Sequence, residues 1–207
     1  MSRIVIFGAG GRAGRHAVRE AQARGHEVTA VVRDPSRYAA LATDHVTVVA
    51  GDVTDRAQVA AVADGHDAAI SAVYDGGADP TAFYIAAAEA LSRADVGRLV
   101  VVTIATLLEA APGVRLVDSP EFPAEYRPFC LGHAAGLDVL AAAPPRADWL
   151  AISPAGDFQH GGVRTGGYRA SGLDVESRIS YPDFAIALID EIETPKHHRT
   201  HLAVTTS

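Results

Sequence analysis

The sequence predicts an α/β fold in which a parallel sheet is doubly wound, with helices on both faces. Short β-branched runs alternate with alanine-rich stretches of helical length as far as Pro154, a pattern typical of repeated βαβ units. The strand runs are largely apolar throughout, as expected for parallel strands that are buried on both faces. The 207 residues are enough for one core of ordinary size.

Each predicted strand is a run rich in Val, Ile or Ala, and each run is followed by a stretch of helix-forming residues. The predicted strands are, in order, "RIVIF", "EVTAVV", "VTVVAG", "DAAISAV", "RLVVVT" and "DWLAISP". The helices between them are predicted in "RAGRHAVREAQARG", "PSRYAALA", "RAQVAAVA", "PTAFYIAAAEALSRA" and "PFCLGHAAGLDVLAAA". Gly25 closes the first helix. Pro35 and Pro80 lie in the first turns of the second and fourth helices, where the missing N–H is tolerated.

The composition changes after Pro154. The stretch "AGDFQHGGVRTGGYRASG" is polar and rich in glycine, which predicts a loop and a short hairpin over one end of the sheet. "SRIS" is predicted to be extended and "SYPDFAIALIDEIE" helical, with capping-box-like spacing between Ser180 and Asp183 and with Pro182 in the first turn. "HLAVT" is predicted as a last, edge strand. Because no repeat or linker interrupts the chain, residues 1–207 are predicted to form one domain.

Charge and composition limit the classes of partner. The formal net charge of −7 argues against nucleic acids and anionic membranes, and no apolar run approaches the roughly 20 residues of a membrane span. The start, "MSRIVIFG", is too short for a secretory signal. Cys130, the one cysteine, fits a reducing compartment. We expect a cytoplasmic monomer or homodimer that binds a small molecule, and no metal site, because His197 and His201 lack accompanying ligands.

The stretch "IVIFGAGGRAGRHA" is the most specific feature of the sequence. Gly8, Gly11 and Gly14 follow a buried strand at intervals of three and precede a helix. The first allows a tight turn, the second lets a pyrophosphate approach the backbone, and the third lets helix and strand pack closely. The predicted phosphate-binding residues are Gly8, Gly10, Gly11, Arg12, Ala13 and Gly14. The alternative is a glycine-rich turn without a ligand.

Arginines near this turn indicate which dinucleotide is bound. Folds specific for NAD usually carry an acid after the second strand, where it meets the ribose hydroxyls. Here "VVRDPSR" places Arg33 there, and Arg12 lies in the glycine turn itself. Two guanidinium groups are suited to a 2′-phosphate, so NADP(H) is favoured and NAD(H) is possible. Asp34 either serves a ribose or pairs with Arg37, which is interpreted as a surface residue.

These motifs, "GAGGRAG" with "AGDVTD" and "DAAISAV", resemble those of the atypical short-chain dehydrogenase/reductases. The similar branch is that of NmrA-like and biliverdin/flavin-reductase-like NAD(P)H-binding proteins. The resemblance covers nearly the whole chain and includes "APGVRLVDSPEFPAEYRP", "SPAGDF", "RTGGYR" and "SRISYPDFAIALIDEIE". It implies a Rossmann domain whose C-terminal third forms a small, partly irregular region over the substrate.

The resemblance also implies roles for individual residues. Asp52 would accept from the adenine amino group, with Val53 packing on the base, although Asp52 also suits a turn cap shared with Thr54. Ser71 and Ala72 would border the ribose. Pro154 and Ala155 would line the nicotinamide.

The residues expected to do chemistry depart from the usual short-chain reductase motif. The Tyr-x-x-x-Lys motif of most short-chain reductases is missing, and Leu107 occupies the place of a serine that the related branch carries. Thr103 and Thr106 are the hydroxyls left on that stretch; we assign Thr103 to the cofactor and Thr106 to the candidate catalytic set. Tyr126 in "FPAEYRP" could donate to an oxyanion. His133, at the position of the family lysine, could relay a proton if its pKa is near neutral. Each could equally be structural.

An apolar floor of Ile104, Leu107 and Leu108 with Phe122, Phe129 and Phe158 would suit a flat aromatic acceptor, or could be plain core. The sequence therefore predicts an NAD(P)H-dependent oxidoreductase that transfers hydride to a small, flat, conjugated acceptor such as a quinone, a flavin or a polyketide-type ketone. The alternatives are an NADP-binding redox sensor without turnover and a non-redox isomerase or cyclase on the same scaffold.

Overall fold

The computed structural model describes residues 1–143 and 146–207. Its strands are β1 (Arg3–Phe7), β2 (Glu27–Val32), β3 (Val46–Ala50), β4 (Ala68–Ser71), β5 (Arg98–Val102), β6 (Glu109–Ala111), β7 (Val114–Arg115), β8 (Asp148–Pro154), β9 (Asp157–Gln159), β10 (Tyr168–Ser171), β11 (Arg178–Ser180) and β12 (His201–Thr206). The α-helices are α1 (Arg12–Ala23), α2 (Arg56–Ala63), α3 (Pro80–Leu91), α4 (Arg127–Ala142) and α5 (Tyr181–Glu193). Short 3₁₀ helices span Pro35–Leu41, Ala105–Leu107 and Leu116–Asp118.

The main sheet has eight strands in the order β10-β12-β8-β5-β4-β1-β2-β3. Its strands pair in parallel except for β10, which runs antiparallel to β12. β1 pairs with β2 on one side and with β4 on the other, so the direction of winding reverses at β1. A crevice opens at the carboxyl ends of strands at such a reversal, and this is where α/β sheets of this type bind ligands. The predicted doubly wound Rossmann fold is confirmed.

Two layers of core cover the two faces of the sheet. Alternate residues of β1 face opposite sides: Ile4 and Ile6 pack in the cluster that includes α1 and α5, while Val5 and Phe7 pack in the cluster with α2 and α3. The helices of each layer also pack on one another, α1 on α5 and α3 on both α2 and α4. Both faces of the parallel strands are therefore buried, which accounts for their continuous apolar character.

The C-terminal part differs from the prediction in its pairing. The predicted hairpin is wrong: β9 pairs in parallel with β11, as a separate two-stranded sheet, and β10 pairs with β12. The prediction of "HLAVT" as an edge strand is also wrong, because β12 lies between β8 and β10. The glycine-rich composition indicated turns here, but the partners of these short strands are distant in sequence and leave no local signal. A further small hairpin, β6 with β7, was not predicted.

The start of α5 is held by a small polar network. As the capping-box spacing predicted, the Ser180 hydroxyl accepts from the Asp183 N–H (3.1 Å). The Asp183 carboxylate, which is fully buried, instead accepts from the backbone and hydroxyl of Thr165 and from the Gly166 N–H, at 2.8–3.1 Å. These bonds hold the pKa of Asp183 below its usual range, against the opposing effect of burial. The loop before β10 is thereby fastened to the helix whose first residue, Tyr181, reaches the crevice.

Candidate functional site

A cavity of about 1020 Å³ lies at the carboxyl ends of β1, β2 and β4. Its size is at the upper end of the range for small-molecule and cofactor sites. One end is lined by the glycine turn and by polar residues that follow β2 and β3. The other end is lined by Ile104, Phe129, His133, Phe158 and Tyr181. The site is thus one continuous pocket with a polar end and an aromatic end.

The glycine turn has a geometry that only glycine allows. Gly8 has a φ of +77°, and a Cβ there would lie 2.3 Å from the Ala72 carbonyl oxygen. A Cβ at Gly14 would lie 2.1 Å from the Gly8 carbonyl oxygen, so α1 packs directly on the turn. Gly11 is the N-cap of α1, and no side chain caps the helix. The first N–H groups of α1 therefore lie at the pocket without a side-chain partner, where they can bind an anion.

The arginines of the turn take up different positions. Arg15 folds back so that its guanidinium donates to the carbonyl oxygens of Gly10 (3.0 Å) and Gly11 (3.1 Å). Arg12 reaches across the pocket instead, and its Nη1 lies 3.2 Å from Nδ1 of His160. The ring of Tyr38 covers Gly10, where a Cβ would lie 2.3 Å from it. The polar end therefore has cationic side chains on a close-packed backbone.

Arg33 and Asp75 close the polar end from opposite sides. Arg33 follows β2, Asp75 follows β4, and their side chains form an ion pair at 2.5 Å. Asp75 also accepts from the Gly77 N–H (2.9 Å); this backbone bond and Arg33 lower the pKa of the Asp75 carboxyl. Arg37 lines the same end of the pocket, contrary to its interpretation as a plain surface residue.

The acids at this end are largely engaged as local caps. Asp34 accepts from the backbone (3.1 Å) and hydroxyl (2.6 Å) of Ser36, which lowers its pKa. Asp52 accepts from the backbone (2.9 Å) and hydroxyl (2.7 Å) of Thr54, the capping arrangement that was the alternative to adenine binding. Asp52 still lines the pocket beside Val53.

His133 lies at the aromatic end and is buried. Its ring lies against that of Tyr84 with a centroid distance of 3.8 Å and an angle of 33° between the ring planes, and Phe129 meets it edge-on at 4.9 Å. Its Nδ1 lies 3.4 Å from Oγ1 of Thr103. Removal from solvent lowers the pKa of His133 to about 3, so the near-neutral pKa assumed from the sequence is wrong. At physiological pH the imidazole is neutral and acts as a hydrogen-bonding group rather than as a cationic acid.

The aromatic cover of the pocket comes from the C-terminal third. Phe158 on β9 stacks on Tyr181 at 4.3 Å, and His160 meets the same tyrosine edge-on at 5.7 Å. Phe158 and Tyr181 both line the pocket. The resemblance implied a covering region of this kind, but which aromatic residues reach the pocket depends on the β9–β11 pairing.

The structure brings most of the predicted site residues into the one pocket. Those lining it are Gly8, Gly10, Gly11, Arg12, Ala13, Arg33, Asp52, Val53, Ala72, Thr103 and His133. Gly14 packs behind the turn, as described above. Ser71 lines a small enclosed cavity behind the pocket together with Tyr84, Thr103 and His133.

Three further predicted residues line neither the pocket nor the small cavity. Pro154 is buried at the end of β8, and Thr106 is in the 3₁₀ helix after β5. Tyr126 precedes α4 with 61% of its surface exposed, so its phenol does not line the pocket.

The predicted apolar floor divides between two places. Ile104, Phe129 and Phe158 line the pocket, whereas Leu107 and Phe122 belong to a separate small core with Val117 and Cys130. Leu107, which occupies the place of the family serine, is therefore not among the residues that line the pocket, although Ile104 and Phe129 pack against the same small core. Its hydrophobic side chain stabilises the loop before α4 and does not line the acceptor end.

Several lining residues were not identified from the sequence. They are Arg15, Arg37, Tyr38, Tyr74, Asp75, Tyr84 and Tyr181. Arg37 and Tyr38 lie four and five positions after Arg33, so their closeness in sequence could have indicated that they line the same pocket. Tyr84 lies within an alanine-rich helix with no distinguishing motif, and only the packing of α3 on α4 shows its position.

Among the described residues, no group of three or more His, Cys, Asp or Glu side chains is arranged to hold a metal ion. In the same part of the chain, no helix has both the length and the hydrophobicity to cross a bilayer.

A family model described as NAD(P)H-binding matches residues 8–195, which include the glycine turn and the aromatic end of the pocket. The chain belongs to this family. The membership of an NAD(P)H-binding family that the sequence motifs predicted is thus confirmed, and the doubly wound sheet with its glycine turn is the fold that such proteins use.

Similar proteins match nearly the full length of the chain. The uncharacterised protein YwnB of Bacillus subtilis is 35% identical over 221 residues, covering 98% of this chain and 97% of that protein. A Streptococcus pneumoniae structure named as a proposed NADH-flavin reductase has a TM-score of 0.84 at 30% identity and covers 100% of both chains. A Bacteroides thetaiotaomicron structure named as a proposed epimerase has a TM-score of 0.85 at 35% identity, covering 99% of this chain and 97% of that one.

The pocket fits the nicotinamide dinucleotide that the family name implies. The turn has no room for side chains at Gly8 and Gly14, and α1 begins without a side-chain cap. The guanidinium groups of Arg12, Arg33 and Arg37 line the same end. A pyrophosphate at the start of α1 would meet free N–H groups and the positive end of the helix dipole.

Proposed function

We propose that this chain is an NADPH-preferring reductase of small, flat, conjugated acceptors, with quinones and flavins as the main class. The observation that carries the proposal is the continuity of the pocket from the glycine turn to the aromatic end. Hydride transfer is the chemistry that a bound nicotinamide supplies. The protein contributes the alignment of donor and acceptor, which is worth a large part of such a barrier.

The aromatic end is suited to an acceptor that needs no strong acid. Phe129, Phe158 and Ile104 offer flat apolar surface, and the neutral His133 offers hydrogen bonds only. Reduced quinones and flavins can take their proton from water. The Streptococcus pneumoniae neighbour, with its flavin-reductase name, supports the same acceptor class.

The test is an acceptor screen with the purified protein. NADPH or NADH oxidation at 340 nm is followed with menadione or flavin mononucleotide as the probe, against a protein-free control. We expect turnover with at least one probe and a higher kcat/KM with NADPH. Saturable NADP⁺ binding with no turnover across acceptors would favour the redox sensor instead.

A redox-neutral reaction is the second candidate, and the proposed-epimerase name of the 35% identical neighbour favours it. In that case the dinucleotide stays bound without net oxidation, and the product has the same mass as the substrate. Mass spectrometry of turned-over material distinguishes this outcome from reduction, which adds two mass units.

The preference for NADPH is proposed to rest on Arg33, with help from Arg12 and Arg37. Replacing Arg33 by alanine removes a charge-assisted contact with the 2′-phosphate, which is worth about 1.5–3 kcal/mol. We expect the Kd of NADPH to rise about tenfold or more and that of NADH to change less than about twofold. The Asp75→Asn variant keeps the side-chain acceptor for Gly77 but no longer neutralises Arg33, so it should bind NADPH more tightly.

The matched control is Arg115→Ala, since Arg115 is also an exposed arginine paired with an acid, Asp118 at 2.7 Å, and does not line the pocket. Fluorescence titration with both dinucleotides measures all of the variants. Equal weakening of NADPH and NADH by Arg33→Ala would show that Arg33 does not contact the 2′-phosphate.

A further inference from the structure

Tyr84 on α3 has a buried hydroxyl group without a partner. Only 9% of the residue is exposed, and its Oη makes no hydrogen bond to any residue that the structure describes. Most buried side-chain hydroxyls in proteins are paired, because an unpaired one costs free energy of folding. Among the described residues Thr106 and Trp149 also carry a buried polar atom without a partner, but of the three only Tyr84 lines the pocket.

The Tyr84 ring is held firmly in place. It lies tilted against His133 with a centroid distance of 3.8 Å, and Phe83 and Phe129 meet it edge-on at 5.1 and 6.2 Å. Behind it, α4 approaches so closely that a Cβ at Gly136 would lie 3.0 Å from the Tyr84 carbonyl oxygen. The unpaired hydroxyl therefore belongs to a ring that is held where α3 and α4 pack closely.

We propose that the Tyr84 hydroxyl is the hydrogen-bond donor to the oxygen atom of the acceptor. The inference rests on the proposed reductase function and narrows its substrate class to conjugated ring systems that present a carbonyl oxygen, such as quinones and aromatic ketones. When the acceptor gains a hydride, that is two electrons and a proton, the negative charge develops on its oxygen. The phenol O–H stabilises that charge without giving up its proton, and water then protonates the product.

The surroundings of Tyr84 keep the phenol in its donor form. Burial raises the pKa of this group well above its usual range, and the neighbouring Tyr74 adds to the effect. Tyr74 is 66% exposed and packs edge-on to Phe129 at 5.8 Å.

Other polar groups of the aromatic end are less suited to this role. Thr103 and His133 lie against each other at 3.4 Å, so each already has a partner. Tyr126, the other candidate phenol, is outside the pocket. Tyr84 is therefore the donor whose partner a ligand would supply.

The test compares Tyr84→Phe with Tyr126→Phe, since each variant removes a single phenolic oxygen. We expect Tyr84→Phe to lower kcat/KM for menadione about tenfold or more, through both a higher KM and a lower kcat, with the Kd of NADPH within about twofold of wild type. The Tyr126→Phe variant should retain wild-type turnover. Loss of turnover in Tyr126→Phe with retention in Tyr84→Phe would overturn the proposal.

Thermal unfolding separates a functional hydroxyl from a structural one. Since Tyr84→Phe removes an unpaired buried group, its unfolding midpoint should equal that of wild type or exceed it by a few degrees, on the order of 2–4 °C. A clear fall in the midpoint would mean that the hydroxyl has a structural partner, and would contradict the proposal.

A binding measurement keeps the inference testable if no acceptor is turned over. Menadione is titrated calorimetrically into the protein saturated with NADP⁺. Tighter binding to wild type than to Tyr84→Phe, by about fivefold or more, supports Tyr84 as the donor even where the reductase proposal fails. Equal affinities for the two proteins would overturn it whether or not the wild type reduces menadione.

Discussion

Replacement of Gly8 by alanine is expected to weaken dinucleotide binding by about a hundredfold or more, which corresponds to about 2.7 kcal/mol. The left-handed conformation of Gly8 (φ +77°) costs a residue with a Cβ about 1–2 kcal/mol. The added atom would also lie 2.3 Å from the Ala72 carbonyl oxygen, a backbone atom that cannot easily move. The turn must open, and the amide groups that face the pyrophosphate move with it.

Fluorescence titration with NADPH measures the loss, and urea unfolding reports how much stability is lost separately. Gly172→Ala is the control, because its Cβ would meet nothing within 4 Å and its φ is not positive. The control should bind NADPH as wild type does. If Gly8→Ala, while folded, bound NADPH within about twofold of wild type, the turn would not be the phosphate site.

Stability is expected to fall as the pH is lowered from 7 to 5, because the buried His133 and the half-buried His201 remain neutral in the folded protein. Burial lowers the pKa of His133 to about 3 and that of His201 to about 4. In the unfolded chain a histidine takes up a proton near pH 6.5, so between these values the unfolded state binds more protons. Each histidine contributes stability that is fully present above pH 6.5 and is lost on acidification, by about 2 kcal/mol between pH 7 and pH 5.

Urea unfolding across this range measures the effect. The His133→Gln variant should lose about 2 kcal/mol less than wild type on acidification, since its share of the linkage is removed. His45 differs from these two histidines, because it is exposed and its hydrogen bond to Glu27 raises its pKa instead of lowering it. If the free energy of unfolding of the wild type did not change from pH 7 to pH 5, the assignment of His133 and His201 as neutral would be contradicted.

The parts of the fold that sequence could predict are those set by local patterns. Strands β1 to β5 and β8 are largely apolar runs, and the turn from Gly8 to Gly14 has spacing that few structures other than a phosphate loop require. The caps of α5 were also visible, although Asp183 proved to bind the loop at Thr165 and Gly166 rather than the backbone of Ser180. In each case the information lies within a few neighbouring residues.

The aromatic end of the pocket could not be predicted because it is assembled from residues far apart in sequence. The interpretation of Leu107 as a gap in the catalytic machinery assumed that its side chain faces the pocket, whereas it packs against Val117 and Cys130. Tyr84 lacks any motif, and its position depends on the close approach of α3 and α4 at Gly136. The pairing of β9 with β11 decides which aromatic rings cover the pocket, and no local pattern encodes it.

The separate hydrogen bonding of β9 and β11 has a consequence for engineering. The dinucleotide floor belongs to the eight-stranded sheet, whereas Phe158 and the approach to Tyr181 belong to a two-stranded ribbon that does not interrupt it. The β9–β11 pair can therefore vary in sequence without changing the pairing of the eight-stranded sheet. Substitution of Phe158 alone should change which acceptors are bound while leaving the pairing of the eight-stranded sheet and the glycine turn as they are.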